Sequence, residues 1–370
     1  MHIALVIPDL KGGGAQKMMI NLANEFTLRG HKVDLLLLNH EGIYRGIINQ
    51  SVNVIDFNKT RSLFAIPALA KYLKTKKPDI FLSALFHVNL VSILARILAG
   101  TKKTKIIISE RNNLSLRLSE MNIAKRFLLK TMVKIFYPFA DQIVGISNGV
   151  CDDLRKILKP EKVSFIQTIY NPVVTPDFEE KIKAETASPY PNNAGVKLVA
   201  SGRLVLQKDY PTLIRALAIY REKYGAAHLV ILGQGVLQDE LETLSKSLNI
   251  KDNISFMGFV DNPLSVMKHA DIFVVSSAWE GFCNVIVEGL YAGLKVVATD
   301  CPSGPAEILQ NGKYGELVEI GNVEKFAEAI HTVSQKNISA EDQKKRAMDF
   351  TVEKKTEEFT ELFKKVLSHG

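Results

Sequence analysis

Short runs of β-branched and other apolar residues alternate along this chain with longer stretches that are apolar on one side. This alternation is typical of a parallel β-sheet whose strands are joined by crossover helices, so the fold class is α/β. In the first half the pattern predicts strands at Ile3–Ile7, Lys32–Leu38, Val52–Ile55, Ile80–Ala84, Lys105–Ser109 and Gln142–Ile146, and helices at Ala15–Arg29, Ile66–Leu73 and Asn89–Ala99. These elements predict one Rossmann-like unit.

The second half repeats the pattern after a polar stretch, 172–193, that holds four prolines. Strands are predicted at Lys197–Ser201, Leu229–Leu232, Ile254–Phe256, Ile272–Ser276 and Lys295–Thr299. We therefore expect two facing Rossmann-like domains with a cleft between them. Their predicted extents are 1–172 and 194–345, with a linker at 173–193. A last periodic segment, Glu341–Leu367, predicts a C-terminal helix, assigned to 346–370, that crosses back to the first domain.

The two halves differ in charge. The 370 residues carry a net charge of +8, but the first 170 hold 25 Lys and Arg against 12 Asp and Glu, a net +13. The remainder holds 22 against 27, a net −5. This asymmetry indicates that the first domain meets a polyanion, which composition alone leaves open as nucleic acid, a phosphorylated substrate or an anionic membrane.

Three unpaired cysteines with no zinc-like spacing argue against a disulfide framework and a zinc site, and favour a reducing cytoplasm. The N-terminal apolar run meets Pro8 and Asp9 too early for a secretory leader. The most apolar stretch, 80–99, is interrupted by His87, Asn89 and Arg96, so we expect no membrane-spanning segment.

A glycine run, Gly12 to Gly14, follows the first predicted strand and opens a helix. Glycines there allow an anion to approach the helix N-terminus, although a tight strand-to-helix turn is an equally simple interpretation. The spacing is not that of a dinucleotide fingerprint, and no acidic residue ends the second strand.

Two cations follow the first strand of the second domain. Arg203 and Lys208 stand at a predicted strand end before a helix, where a guanidinium fork and a mobile ammonium suit a diphosphate. The alternative is a pair of solvated loop cations.

The segment from Glu280 to Glu288 carries the most specific pattern. Gly281 permits a tight turn, and the backbone amides of Phe282, Cys283, Asn284 and Val285 open a helix that could face phosphate. Glu288, further along that helix, is placed to accept ribose hydroxyls, and Glu280 to accept hydroxyls of a sugar beyond the phosphates.

With these residues the chain resembles the retaining glycosyltransferases of family 4, also called glycosyltransferase group 1, over nearly its whole length. Further carriers of the resemblance are Gly233 within Ile231–Gly235 and Phe259 within Phe256–Phe259. The resemblance implies the GT-B fold, transfer with retention, and no metal. It implies that Arg203 and Lys208 neutralise the donor diphosphate and that Glu288 binds the ribose. It also implies that Glu280 holds the sugar and that Gly13 and Gly14 meet the donor across the cleft.

One position departs from the family pattern. Many relatives have a histidine after the strand that corresponds to Lys105–Ser109, whereas this chain has Glu110 and Arg111. Arg111 stands about where the histidine would be. Arg111, Glu110 or His87 is therefore expected to take the role of this histidine toward the reacting sugar.

The region between Leu114 and Phe139 combines cations with apolar residues. Arg126, Lys130 and Lys134 recur at every fourth position beside Lys125, and Leu128, Met132, Ile135 and Phe139 form an apolar face. This predicts an amphipathic helix that lies on an anionic membrane, or alternatively a packed helix with a solvated basic face. The first interpretation suits an acceptor with a polyprenyl tail and a pyrophosphate head.

The predicted function is transfer of a sugar from a nucleotide-diphosphate donor, UDP-GalNAc or UDP-GlcNAc or else UDP-Gal or UDP-Glc, to a lipid-linked or cell-surface saccharide. The stretches Gly12–Ala15 and Tyr137–Asp141 resemble those of bacterial transferases that act on lipid-linked oligosaccharides. We expect a cytoplasmic enzyme, peripheral on the inner face of the membrane. The alternatives are a nucleotide-sugar epimerase or dehydrogenase, and a non-enzymatic membrane- or nucleic-acid-binding protein. No recognised nucleic-acid module supports the last.

Overall fold

The computed structural model describes residues 1–11, 13–39, 41–59, 61–119, 121–158 and 164–368. The chain forms two compact units. The first is Met1–Pro172 together with Thr351–Gly370, and the second is Val173–Phe350.

The first unit contains a seven-stranded parallel sheet. Its strands are β1 (His2–Ile7), β2 (Lys32–Leu37), β3 (Asn53–Asp56), β4 (Ile80–Ala84), β5 (Lys105–Glu110), β6 (Gln142–Gly145) and β7 (Ile166–Thr168), in the spatial order β3-β2-β1-β4-β5-β6-β7. Its helices are α1 (Gly14–Leu28), α2 (Ile66–Lys76), α3 (Phe86–Ala99), α4 (Leu114–Ser119), α5 (Ile123–Phe136) and α6 (Asn148–Ile157). The order turns outward from β1 in both directions, as in doubly wound folds.

The second unit contains a six-stranded parallel sheet. The helix α7 (Phe178–Lys183) precedes strands β8 (Val196–Ser201), β9 (Ala227–Leu232), β10 (Ile254–Phe256), β11 (Ile272–Val275), β12 (Lys295–Thr299) and β13 (Glu316–Val318), which lie in the order β10-β9-β8-β11-β12-β13. Its other helices are α8 (Tyr210–Lys223), α9 (Gln238–Ser247), α10 (Pro263–Met267), α11 (Asn284–Tyr291), α12 (Pro305–Ile308), α13 (Val323–Gln335) and α14 (Ala340–Ala347).

The central strands are buried on both faces, which explains why they read as continuous apolar runs rather than alternating ones. Every residue from Ile3 to Ile7 in β1, and from Ala227 to Leu232 in β9, is buried. Helices cover both faces of such a sheet, so each unit has its own core. Two short edge strands, β7 and β13, were missing from the sequence prediction.

The predicted linker, 173–193, differs in the structure, which includes it in the second unit. Phe178 in α7 is buried and packs edge-on against Tyr291, with ring centroids 5.1 Å apart. The Tyr190 hydroxyl donates a hydrogen bond to the carbonyl of Leu198. These buried aromatic contacts, not visible in a proline-rich sequence, attach the segment.

The last predicted helix is two helices in the structure. Helix α14 ends at Ala347, and α15 (Val352–Ser368) begins after a turn at Met348–Phe350 and belongs to the first unit. The guanidinium of Arg346 donates to the carbonyls of Glu307 and Ile308, which fixes the end of α14 in the second unit. Helix α15 packs on α1, where Phe363 contacts the ring of Phe26 at 5.4 Å.

A buried carboxylate joins three elements of the first unit. Asp34 in β2 accepts hydrogen bonds from the Tyr72 hydroxyl and from Asn53, and its Oδ2 lies 2.8 Å from His2 Nε2. Burial by itself raises the pKa of Asp34, but these donors outweigh it and hold that pKa below its ordinary value. The network therefore stabilises the folded state with the carboxylate ionised.

We expect Asp34→Asn to lower the free energy of unfolding by about 2 kcal/mol at neutral pH, because the amide leaves buried donors without an acceptor. Since the folded pKa of Asp34 lies below its unfolded value, the ionised form stabilises the protein above the unfolded pKa. That contribution is lost as pH falls through the folded pKa. Urea unfolding should show a gap between wild type and variant that narrows in acid. Glu361→Gln, on the exposed side of α15, is the control and should show no gap.

Candidate functional site

The carboxyl end of β8 carries the two predicted cations. After Ser201 the chain runs through Gly202 and Arg203 to a short turn of 3-10 helix at Leu206–Lys208, and α8 then begins. The Asp209 side chain caps α8, and Pro211 lies in its first turn, so this start is defined locally. The Arg203 side chain is exposed, and in the described residues it makes no hydrogen bond or ion pair.

The glycine at the end of β9 lets two strand ends approach closely. Gly233 has φ +143°, and a Cβ built on it would lie 2.0 Å from the carbonyl oxygen of Gly202. Its amide donates to the carbonyl of Gly258 at 2.7 Å. Gly233 therefore joins the Gly202–Arg203 turn to the loop of Phe259, whose ring is exposed.

Lys208 and Glu280 form a partly enclosed ion pair. Lys208 Nζ lies 2.5 Å from Glu280 Oε1, and the two side chains are only 15% and 9% exposed. The same Oε1 accepts a hydrogen bond from the Ser277 hydroxyl at 2.7 Å. All the hydrogen bonds of this carboxylate that occur in the described residues use Oε1, which leaves Oε2 for a ligand.

Burial and charge oppose each other at Lys208. Burial lowers the pKa of the Lys208 ammonium, but the nearby Glu280 carboxylate raises it, and the net pKa lies above its ordinary value. Lys208 is therefore a fixed positive charge at neutral pH. The loop around it is held by two further bonds, from Ser276 Oγ to the Lys208 carbonyl and from the Ala278 amide to the Gln207 carbonyl.

Helix α11 begins beside this ion pair. Gly281 and Phe282 are buried in the turn before it, and the Phe282 ring packs against Phe350 at 5.3 Å. Cys283 precedes the helix with φ +71°, and no side chain caps the helix N-terminus. Asn284 and Val285 open α11. The dipole of a helix favours an anion at its N-terminus.

Two other side chains of this segment are Cys283, a buried thiol, and Glu288, a half-buried carboxylate. Burial raises the pKa of the Cys283 thiol well above its ordinary value, with a further contribution from Glu280, so Cys283 is not a thiolate at neutral pH. Glu288 is half-buried, one turn into α11. The second unit thus brings Arg203, Lys208 and Glu280 to one sheet edge with α11.

The first unit holds the remaining predicted residues. Gly13 precedes α1 and its amide donates weakly to the Tyr44 hydroxyl, and Gly14 is the first residue of α1. Gly12 lies outside the described residues. His87, the second residue of α3, is exposed.

Glu110 and Arg111 are buried at the carboxyl end of β5. Glu110 Oε2 accepts a hydrogen bond from the Tyr137 hydroxyl at 2.6 Å, and burial raises the pKa of Glu110. Burial lowers the pKa of Arg111 to about 9, against the opposing charge of Glu110, and its Nε has no hydrogen-bond partner in the described residues. Of the three candidates for the histidine's role, Arg111 alone combines burial with an unsatisfied donor.

The amphipathic segment folds as two helices, α4 and α5, rather than one. Only Val133 of α5 is buried, whereas Lys125, Arg126, Lys130 and Lys134 are exposed. The predicted apolar face is not packed inward: Leu128, Ile135 and Phe139 are each more than half exposed, as are Ile123 and Phe127. Arg126 has a structural role as well, since its guanidinium donates to the carbonyls of Leu118 and Ser119 at the end of α4.

Two family models match the chain. The family described as "Glycosyltransferase Family 4" matches residues 12–175, and "Glycosyl transferases group 1" matches residues 183–350. The chain belongs to these glycosyltransferases. Among its relatives is the Campylobacter jejuni N-acetylgalactosamine-N,N'-diacetylbacillosaminyl-diphospho-undecaprenol 4-alpha-N-acetylgalactosaminyltransferase, 29% identical over 90% of this chain and 89% of the relative.

A further relative and a solved structure also match the chain over nearly its whole length. A second Campylobacter jejuni N-acetylgalactosaminyltransferase, which acts on a diphospho-undecaprenol-linked saccharide, is 26% identical over 99% of both chains. The crystal structure of Anabaena HepE in complex with UDP has a TM-score of 0.77 at 19% identity, covering 99% of this chain and 100% of that one. The glycosyltransferase therefore has the GT-B fold of two Rossmann-like domains.

No group of three or more His, Cys, Asp and Glu that could hold a metal occurs in the described residues of the glycosyltransferase. Within the same residues, no helix is both long and apolar enough to cross a membrane.

The sequence analysis did not identify two residues beside the Lys208–Glu280 ion pair. Ser277 hydrogen-bonds Glu280, and Thr299 donates to the Ser277 carbonyl at 2.5 Å. Their position in the sequence could have indicated them. Ser277 lies two residues after the end of β11 and Thr299 ends β12, and ligands of parallel sheets bind near the carboxyl ends of the strands.

Proposed function

We propose that this glycosyltransferase moves a sugar, with retention, from a UDP-linked donor held by the second unit to a polyprenyl-linked saccharide at the inner face of the cytoplasmic membrane. The observation that carries the donor assignment is the buried Lys208–Glu280 ion pair at the N-terminus of α11. A fixed ammonium and a helix N-terminus meet at one strand edge, and both favour a diphosphate.

In this proposal the diphosphate contacts Lys208, Arg203 and the first amides of α11. Arg203 is exposed at the rim and free to form a bidentate contact with phosphate oxygens. Glu288, one turn further along α11, binds the ribose hydroxyls. Glu280 has two functions, because Oε1 positions Lys208 while Oε2 accepts a hydroxyl of the donor sugar.

The proposed chemistry needs a stabilised leaving group. The bond between the anomeric carbon and the β-phosphate oxygen breaks, and its electron pair leaves with the phosphate. Negative charge grows there in the transition state, where Lys208 and Arg203 stabilise it more than they stabilise the intact donor. The acceptor hydroxyl attacks from the same face and gives its proton to the departing phosphate. These cations supply the charge that a metal supplies in other transferases, so no metal is required.

We assign Arg111 as the residue of the first unit that contacts the reacting sugar. Its Nε is buried without a partner, whereas Glu110 is occupied by Tyr137 and His87 is exposed. Gly13 and Gly14 contribute the N-terminus of α1 to the same substrate.

The acceptor assignment is supported by the surface of α5 and by the relatives. Both Campylobacter transferases named above act on saccharides linked to diphospho-undecaprenol. Exposed apolar side chains beside exposed lysines favour a helix that lies in the headgroup region of a membrane. The same relatives favour UDP-GalNAc as the donor.

Calorimetry with UDP, GDP, ADP and NAD, in the presence of a chelator, tests the donor site. We expect UDP to bind most tightly, and Arg203→Ala to weaken it about 10-fold to 100-fold, as for a lost charged hydrogen bond of about 1.5–3 kcal/mol. Arg215→Ala, an exposed arginine on α8, is the matched control and should bind UDP like wild type. Preferential NAD binding, or equal loss in both variants, would contradict the proposal.

A further inference from the structure

A large cavity lies in the first unit, away from the residues discussed so far. It has a volume of about 1170 Å³ and is lined by the first residues of β5 and β6, Lys105 and Gln142, and by the edge strand β7. We call it the amino-edge pocket. Its lining also includes Asn148 and Thr168, which follow β6 and end β7. Substrates of parallel α/β sheets bind at the carboxyl ends of the central strands, and the residues proposed for the transfer chemistry do not line this pocket.

Cations predominate in its lining. Five cationic side chains, Arg96, Lys102, Lys105, Arg155 and Lys365, line it together with one carboxylate, Asp141. Asp141 is occupied: its Oδ2 lies 2.7 Å from Arg96 Nη1 and accepts the Ile106 amide, and its Oδ1 lies 3.9 Å from Lys105 Nζ. Arg155 Nη1 lies 2.7 Å from Asp152 Oδ1, a half-exposed pair outside the lining, and the lining keeps a net positive charge that favours an anionic ligand.

The same lining contains exposed apolar side chains. Ile97, Phe139 and Phe165 are 47%, 52% and 40% exposed. Large apolar groups at this level of exposure beside cations suit a ligand that is itself part anion and part hydrocarbon.

The pocket is continuous with the exposed surface of α5. Phe139, which lines the pocket, lies three residues after the end of α5, and Ile135 and Leu128 extend the exposed apolar surface along the helix. Nucleic acid would contact the cations and the aromatic rings but would leave the aliphatic side chains along α5 uncovered. The acyl chains of a lipid would cover them.

We propose that the amino-edge pocket binds a single anionic phospholipid. Lys102 and Arg155 hold its phosphodiester, and Phe139, Phe165 and Ile97 contact the start of its acyl chains. The inference rests on the proposed membrane association and adds a specific lipid site to it. It would retain the enzyme on a leaflet where its lipid-linked acceptor is found.

The test uses the full-length protein and a soluble lipid, dihexanoylphosphatidylglycerol, below its critical micelle concentration. We expect calorimetry to show binding of this lipid and at least tenfold weaker binding of dihexanoylphosphatidylcholine, inorganic phosphate and a short oligonucleotide. The double variant Lys102→Glu/Arg155→Glu should bind the anionic lipid at least tenfold more weakly than wild type.

The matched control is Lys103→Glu/Lys156→Glu. Each of these exposed lysines neighbours a pocket cation in sequence but does not line the pocket, so the control makes a near-identical change in net charge. It should bind the lipid like wild type. Equal loss in both double variants would mean diffuse attraction, and equal binding of inorganic phosphate would mean a simple anion site. Either result would overturn the proposal.

Two further readouts separate failure here from failure of the proposed function. UDP binding reports whether the Lys102→Glu/Arg155→Glu protein is folded. If that protein is not folded, the single variant Lys102→Glu, whose substitution lies in an exposed loop, is tested in its place. If the wild-type protein still co-sediments with anionic vesicles but does not bind the soluble lipid, the pocket proposal is wrong and the proposed membrane association is retained.

Discussion

Lys208→Met is expected to slow sugar transfer by about 10²–10³-fold at saturating donor, the loss typical of removing one preorganised group that stabilises transition-state charge. Lys208 Nζ is held at 2.5 Å from Glu280 Oε1, so the ammonium is fixed in place before the donor binds. The measurement is single-turnover transfer from UDP-GalNAc to a soluble saccharide acceptor.

Loss of stability has to be separated from loss of chemistry. Removing Lys208 leaves the enclosed Glu280 carboxylate without its counter-charge, which is itself destabilising. The double variant Lys208→Met/Glu280→Gln removes that charge, so we expect it to recover the unfolding midpoint but not the transfer rate. Recovery of the rate along with the midpoint would contradict the assignment, as would wild-type turnover in the single variant.

The pH profile gives an independent check on Lys208. Its pKa is raised in the folded protein, so the ion pair's contribution to stability is fully present below the unfolded pKa and is lost only as pH rises through the folded pKa. Between neutral pH and pH ~9 no decline in transfer rate should come from deprotonation of this ammonium.

Reversing three charges on α5 is expected to lower partitioning onto anionic vesicles by at least about 100-fold. Each cation near an anionic leaflet contributes about 1 kcal/mol, so replacing Lys125, Lys130 and Lys134 by Glu removes about 3 kcal/mol of attraction and adds repulsion. Arg126 is left in place because its guanidinium holds the end of α4. Vesicle sedimentation at low and high salt measures the effect, and the wild-type signal should fall as salt rises.

The matched control reverses three exposed lysines of the second unit, Lys223, Lys246 and Lys251. It makes the same change in net charge and should sediment nearly like wild type. If both triple variants lose vesicle binding equally, overall charge and not α5 governs adsorption. If neither does, the proposed membrane face is wrong.

Much of the fold was predictable because the central strands are buried on both faces. Ile80–Ala84 and Lys295–Thr299 have the predicted bounds, since an apolar run between polar residues defines such a strand. The break between α4 and α5 was not predictable. The guanidinium of Arg126 donates to the Leu118 carbonyl at the end of α4, and an apolar pattern does not specify a side-chain contact of this kind.

The candidate site was predicted in its residues but not in its pairing. Residue type and position pointed to Lys208 and Glu280 separately, and nothing in a sequence separation of 72 residues indicates that one carboxylate oxygen binds the ammonium. For α5 the sequence left two interpretations open, a helix that lies on a membrane and a packed helix with a solvated basic face. The structure buries Val133 and exposes Leu128 and Ile135, and which side of a helix packs depends on neighbours that periodicity does not specify.

The position of α15 has a consequence for synthesis. Residues 173–350 form an insertion within the first unit, whose core receives Phe359 and Phe363 from α15 beside Phe26 of α1. On the ribosome, the inserted unit emerges whole before the segment that closes its host. A nascent chain can therefore complete the second unit first, while the first unit, which carries the exposed basic helix α5, stays unfinished until α15 has emerged.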